Sequence, residues 1–319
     1  MKLLSAHGKV ILFGEHAVVY GRPALAMGLD DAMRFISVSK HSQGLTLNVQ
    51  PWDLHASCND ESLLGQVLHR VQGWFPAVSR CILTFHSSIP LGAGLGSSAA
   101  LSVLLLRVLS ALTGEVMAPN ETRERAHKLE TVFHGTPSGL DDTLAVFGGL
   151  AWFQRHGFPT ENHAFSVLTP QLRALPFPKP SLVIGESGRP RATKALVAGL
   201  NERYGSNKDE VEMVFNEIEK CFHQGLKALE CQDNSSFGAA LTDNHQALAS
   251  LGLSCSELDR MVELALSKGA LGAKLTGAGG GGCAVAFAPG HEDEIVSIWN
   301  QNGFNAWIVP SEPIKETLE

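Results

Sequence analysis

Between Pro90 and Ser98 glycine takes every second position, Gly92, Gly94 and Gly96, and two hydroxyls follow at the head of a stretch whose only charge is Arg107. Residues 81–86 place Cys81, Leu83 and Phe85 on one face by period-two alternation, and Pro90 closes that strand. From Ser97 to Leu112 the residues are apolar all round, which predicts a core helix instead of a surface one. The chain must therefore run strand, glycine loop, buried helix. Glycines let a backbone approach a phosphate, and the free N–H groups and dipole of a helix N-terminus supply positive charge, so Gly92–Ser98 reads as an anion cradle. It is neither a Walker A loop, which needs Lys before the hydroxyl, nor G-x-G-x-x-G, because Ser97 takes the last glycine position. A tight turn without a ligand is the alternative reading.

Glycine makes up 32 of 319 residues, about 10% where about 7% is usual, and the excess sits mainly in two places. The second is Gly277-Ala278-Gly279-Gly280-Gly281-Gly282, preceded by Lys274-Leu275-Thr276 and followed by an apolar run, Cys283–Phe287. Linkers rarely interrupt a compact domain in this way, so the stretch is expected to pack against a ligand or against the first glycine loop.

Lys plus Arg (25) against Asp plus Glu (32) gives a net charge of −7, and no basic run stands out, so no electrostatic footprint for nucleic acid exists. A small anionic ligand remains compatible. Six cysteines without a C-x-x-C pair read as reduced thiols of a cytoplasmic protein. The Ala99–Leu112 stretch, broken by Arg107, is too short to span a bilayer.

Residues 9–13 predict a buried strand ending at Gly14, with Lys9 opening it. A helix is expected from Pro119-Asn120, with Asn120 as N-cap, to His134-Gly135. Three prolines between Leu172 and Pro180 mark a boundary between domains at 1–175 and 176–319. Beyond it, helices are expected at about 206–230, 235–250 and after a capping box of Ser254 and Glu257 that ends at Gly269, then a strand at 283–287, a helix at 291–301 and a strand at 304–309.

Phosphoryl transfer needs a cation, an acid to hold Mg²⁺ and a carboxylate near the attacking hydroxyl. Lys9, Glu15, Glu130, Asp141 and Asp142 supply these types. Ordinary readings compete: Glu130 as a solvated helical carboxylate, Lys9 as a snorkelling strand-edge lysine, His16 and His134 as satisfied polar groups in turns.

Four segments, in family order, resemble the GHMP kinase superfamily. They are Gly8–Gly21, Pro90–Ala100, Glu130 with His134–Asp141, and Lys274–Cys283. Within the superfamily the string Gly14-Glu15-His16-Ala17-Val18-Val19-Tyr20-Gly21 resembles the mevalonate-phosphorylating branch. The resemblance implies an α+β, two-domain fold, N-terminal ribosomal protein S5 domain 2-like and C-terminal ferredoxin-like, with the active site between the domains. It implies ATP as co-substrate, Mg²⁺ as cofactor, and transfer to the 5-hydroxyl of mevalonate; a homodimer stays open. Asp141 matches the catalytic base and Lys9 its partner lysine, and Ser98 and Glu130 match the Mg²⁺ ligands. Gly92, Ala93, Gly94, Leu95, Gly96, Ser97 and Ser98 match the ATP phosphate loop and Ser87 a nucleotide contact, while Glu15, His16 and Thr193 match the mevalonate pocket.

Two positions depart from the family pattern: His7 replaces the proline of Ala-Pro-Gly-Lys, and Asp142 stands where relatives often carry Asn. Other small-molecule kinases of the superfamily, acting on phosphomevalonate, galactose or homoserine, and a non-catalytic ligand sensor are the competing readings.

Overall fold

The computed structural model describes residues 4–40, 44–78, 80–135, 137–155, 166–169, 172–190 and 193–311, with the side chains of 166–169 and of Thr193 and Lys194 excepted. In chain order the first elements are β1 (Ser5–Phe13), β2 (Ala24–Lys40), β3 (Thr46–Gln50), β4 (Leu54–Ser57), α1 (Leu63–Trp74) and β5 (Cys81–Ser87). Then come α2 (Ser97–Thr113), α3 (Pro119–His134), α4 (Leu140–Phe147), β6 (Leu150–Phe153), β7 (Ser166–Thr169), β8 (Leu172–Leu175) and β9 (Leu182–Glu186). The last are α5 (Thr193–Ser206), α6 (Lys208–Cys231), α7 (Asn234–Ser250), α8 (Ser256–Ser267), β10 (Gly272–Thr276), β11 (Cys283–Phe287), α9 (Glu292–Gln301) and β12 (Asn305–Val309).

These elements form two compact units. The first comprises Met1–Lys9, Gly28–Leu91 and Leu95–Gly148, and the second Val10–Met27, Gly92–Gly94 and Gly149–Glu319. In the first, β5 lies between the C-terminal half of β2, antiparallel, and β3, parallel, and β4 hairpins onto β3. The predicted core helix is the centre of this unit: Val103, Leu104, Leu105, Leu106 and Leu109 of α2 are buried together with Leu83 and Phe85 of β5. Burial all round leaves no polar face, so α2 is placed by packing on every side.

In the second unit β9, β10, β11 and β12 form an antiparallel sheet in the order β10-β11-β9-β12. Its connection, strand, helices, hairpin, helix, strand, is the split βαβ arrangement of ferredoxin-like domains. Phe215, Leu258, Met261, Trp299 and Leu275 pack its core. Strand β10 lies at the sheet edge, and α7 satisfies its outward groups: Ala273 N–H donates to Thr242 Oγ1 at 3.3 Å and Leu275 N–H to His245 Nδ1 at 3.2 Å.

Several boundaries differ from the sequence reading. Strand β1 starts at Ser5, so Lys9 lies in mid-strand and buried instead of opening it. Ala118 caps α3 with Pro119 in its first turn, because proline is pre-set for that position and Asn120 is already inside the helix. Cys255, not Ser254, caps α8; the Ser254 hydroxyl donates to Asp259, and Glu257 is taken by Arg189 at 3.0 Å. The left-handed Gly269 does end that helix, at φ 90°. The helix expected at 206–230 is α6, preceded across Asn207 by a separate helix, α5. Among the described residues no helix is long and apolar enough to cross a membrane.

Candidate active site

In the first unit, Lys9 reaches out of β1 toward the first turn of α4. Its Nζ lies 3.3 Å from Asp141 Oδ1, and Lys9 is buried while Asp141 is about a third exposed. Helix α4 begins there because Gly139, at φ 88°, takes the left-handed conformation before it. A carboxylate in the first turn also meets the positive end of the helix dipole. The neighbouring chain is equally constrained: Lys9 N–H donates to Leu95 O at 2.8 Å, and a Cβ on Gly96 (φ 75°) would stand 2.9 Å from Lys9 Cγ. Only glycine lets the loop before α2 pass this close to the lysine stem.

One step away, Ser98 in the first turn of α2 donates to Glu130 Oε2 at 2.9 Å, and Ser102 donates to Oε1 at 3.3 Å. Glu130 is buried on the inner face of α3, not solvated. Burial, and then the negative charges of Asp141 and Asp142, push its carboxyl up to about 8, against the pull of the two serine hydroxyls. His134 Nε2 lies 3.1 Å from Ser98 Oγ. A buried carboxylate with a hydroxyl beside it offers two oxygen ligands of the kind a hard cation takes. Among the described residues no group of three His, Cys, Asp or Glu side chains could hold a metal by itself, so one carboxylate and one hydroxyl would need nucleotide oxygens and waters to complete the shell.

Asp142, the departure from the family pattern, is paired with His127. It is fully buried, 3.4 Å from His127 Nδ1, and burial raises its pKa against the pull of the histidine. Ser87 is buried too; its hydroxyl donates to Ile89 O at 2.8 Å and so shapes the turn that leads into the glycine loop before α2.

In the second unit the Gly14–His16 turn is tied to the glycine-rich stretch. Thr276 Oγ1 both accepts from Ile11 N–H, at 3.2 Å, and donates to Ile11 O, at 2.9 Å. Glu15 is buried, paired with the fully buried Lys274, and accepts from Asn244 Nδ2 at 3.2 Å. His16, held at φ 58°, has its Nε2 2.9 Å from Ala278 O. The glycines after Ala278 are demanded by the chain's own backbone: a Cβ on Gly279 would meet Leu253 O at 1.9 Å. Thr193 begins α5, and its side chain, like the whole of Thr136 in the His134–Asp141 motif, lies outside the described residues.

Sequence reasoning did not single out Lys274, Asn244 or Ser102 as partners of Glu15 and Glu130. A lysine inside an otherwise apolar strand and a serine inside an otherwise apolar helix were the available signals.

Comparison with known proteins identifies the family. The chain matches the GHMP kinases N-terminal domain over residues 62–149 and the GHMP kinases C-terminal model over residues 225–305. It is 33% identical to a mevalonate kinase of Methanothermobacter thermautotrophicus, covering 93% of this chain and 94% of that one. A mevalonate kinase of Thermococcus sibiricus is 30% identical, covering 92% of this chain and 91% of its own. The solved structure of L. major mevalonate kinase in complex with R-mevalonate superposes with a TM-score of 0.81 at 25% identity, over 97% of this chain and 96% of that one. The fold is accordingly the α+β GHMP kinase fold, S5 domain 2-like followed by ferredoxin-like, that the motifs implied. Matched in both domains and aligned over more than nine tenths of its length, the chain belongs to the GHMP kinase family, within its mevalonate kinases.

Proposed function

We infer that this protein transfers the γ-phosphoryl group of ATP to the 5-hydroxyl of mevalonate, giving mevalonate 5-phosphate and ADP. The observation that carries phosphoryl transfer is the Lys9–Asp141 pair at 3.3 Å in the same unit as the Ser98–Glu130 pair. The relatives support mevalonate as the acceptor.

In this reading Asp141 and Lys9 are the catalytic residues. Asp141 orients the 5-hydroxyl and takes its proton as the new P–O bond forms and the bond from Pγ to the bridging oxygen of ADP breaks. Lys9 holds charge on the attacking oxygen. The transition state of such transfers is loose and asks little of the base, so position and charge matter more than early deprotonation. Gly92 to Ser98 cradle the phosphates with backbone N–H groups at the N-terminus of α2, next to the turn that Ser87 shapes. Ser98 and Glu130 would hold Mg²⁺, which when bound neutralises charge on the β- and γ-phosphates. Glu15, His16 and Thr193 are assigned to the mevalonate pocket, with Glu15 held by Lys274 and Asn244. The ATP loop is assigned to an N-terminal domain of residues 1–175 and the glycine-rich stretch to a C-terminal domain of 176–319. We place the protein in the cytoplasm, and a homodimer is its proposed assembly.

The test is ADP release from Mg-ATP with mevalonate, phosphomevalonate, galactose and homoserine, with Asp141→Asn as control. Mevalonate should give by far the highest kcat/KM; highest activity on another acceptor overturns the substrate assignment.

A further inference from the structure

Helix α2 carries one charge among its buried apolar residues, and phosphoryl transfer does not use it. Arg107 sits three turns from the phosphate loop, half-buried, and spends its guanidinium on two backbone carbonyls. Nη1 donates to Ser5 O at 2.5 Å and Nη2 to Val146 O at 2.9 Å. Ser5 is the first residue of β1, and Val146 lies in the last turn of α4, where a helix has carbonyls without intrahelical donors. Burial lowers the Arg107 pKa, but a guanidinium stays charged at any working pH, so it also complements the negative end of the α4 dipole.

The same two elements meet again at their other ends. Four residues along β1 from Ser5, roughly 13 Å of extended chain, stands Lys9. Five residues back along α4 from Val146, roughly 7.5 Å of helix, stands Asp141. His7, midway along that stretch of strand, adds a third contact at Gly148, the residue just past the end of α4. Its ring lies 3.1 Å from where a Cβ on Gly148 would be, and its Nδ1 lies 3.0 Å from Asp30 Oδ1. Strand and helix are thus bracketed: Arg107 at one end, His7 along the strand, the Lys9–Asp141 pair at the other.

We propose that Arg107 is a positioning residue for phosphoryl transfer, clamping the start of β1 to the end of α4 so that Lys9 and Asp141 meet at the reacting distance. The planar fork of arginine suits this task, because its two terminal nitrogens hold two carbonyls at a set separation, whereas lysine offers a point donor on a flexible stem. Loss of the fork leaves two carbonyls without their donor and frees α4 to pivot about Gly139. A shift of about 1 Å at Asp141 is enough to cost up to roughly 100-fold in rate.

The inference rests on the kinase reading above. Its test is steady-state kinetics of wild type, Arg107→Lys and Arg107→Met on ATP and mevalonate, with kcat expressed per nucleotide-binding site titrated by a fluorescent ATP analogue. Arg107→Met should lose about 10- to 100-fold in kcat, with both KM values within about 2-fold of wild type, and Arg107→Lys should fall between. Wild-type kcat per site in Arg107→Met, with only the melting temperature lowered, overturns the clamp, as does a change confined to KM. Should Arg107→Met fail to fold, Arg107→Lys decides: a loss of at least about 3-fold in kcat is expected, and full activity refutes the proposal. A wild-type enzyme inactive on mevalonate removes the underlying reading instead.

Discussion

Lys9 Nζ lies 3.3 Å from Asp141 Oδ1, the lysine buried on a strand and the aspartate at the first turn of a helix that a left-handed glycine starts. This pair joins a fixed cation to a carboxylate that keeps one side open to solvent. Replacing either side chain by a neutral one of similar size, Asp141→Asn or Lys9→Met, should lower kcat by about 10²- to 10⁴-fold. ATP affinity should stay within a few-fold of wild type, because neither group belongs to the phosphate loop. A coupled ADP-release assay and nucleotide-binding fluorescence measure the two quantities separately.

Glu130 couples stability to pH through its burial. Its carboxyl is raised to about 8, from an ordinary value near 4.5, so the folded state keeps its proton longer than the unfolded chain does. The stability that this group contributes is whole below about pH 4.5 and is lost as pH rises toward about 8. Without metal, wild type should therefore lose more stability between pH 5 and 8.5 than Glu130→Gln does, as read by urea unfolding. The variant should also need far more Mg²⁺ for turnover.

Gly96→Ala tests the close passage of the glycine loop against Lys9. The residue has φ 75° and would place Cβ 2.9 Å from Lys9 Cγ and 3.3 Å from Lys9 N. A left-handed alanine alone costs about 1–2 kcal/mol, before the lysine is displaced. Thermal unfolding should show that loss, and kcat should fall with it because the stem that moves is that of Lys9.

The Glu15–Lys274 pair should behave as a buried ion pair. Burial lowers the Lys274 pKa, and the Glu15 carboxylate works against that. Lys274→Met strands a carboxylate in the core and should cost about 3–5 kcal/mol in chemical denaturation, whereas Glu15→Leu combined with Lys274→Met should recover most of it.

His245 gives the acid limb of stability. Burial lowers its pKa, outweighing the nearby Asp259, and its Nδ1 already accepts from Leu275 N–H. The folded state therefore resists the proton that the unfolded chain accepts near pH 6.5, and this contribution, present above pH 6.5, is lost as pH falls. Unfolding free energy of wild type should drop between pH 7.5 and 5.5 by more than that of His245→Asn, with a difference in slope no steeper than ~1.4 kcal/mol per pH unit.

Much of the site was legible in residue order. The α2 helix, the glycine loop before it, the end of α3 at His134 and the β11 strand follow from periodicity and punctuation, which act over a few residues. Lys9, Ser98, Glu130 and Asp141 came from motif resemblance, and the fold brings Lys9 to Asp141 and Ser98 to Glu130. Helices α1, α4 and α5 were missed. Helix α4 has only eight residues and a glycine at each end, too short for a periodic signal. The caps expected at Asn120 and Ser254 fall at Ala118 and Cys255 instead, because the cap depends on which residue leaves the helical conformation first.

Local sequence therefore determined the elements, the glycine turns and the types of chemical group available. Tertiary structure alone decided what those groups are. Whether Glu130 is a solvated carboxylate or one raised to about 8 depends on burial and on the charges of Asp141 and Asp142 brought near it. Whether Glu15 faces solvent or Lys274, and whether Arg107 is an intruder in an apolar helix or a clamp between β1 and α4, depends equally on partners far away in the chain. Propensity and pattern fall off within a turn or a strand, whereas desolvation and charge act through space, between residues that only the fold makes neighbours.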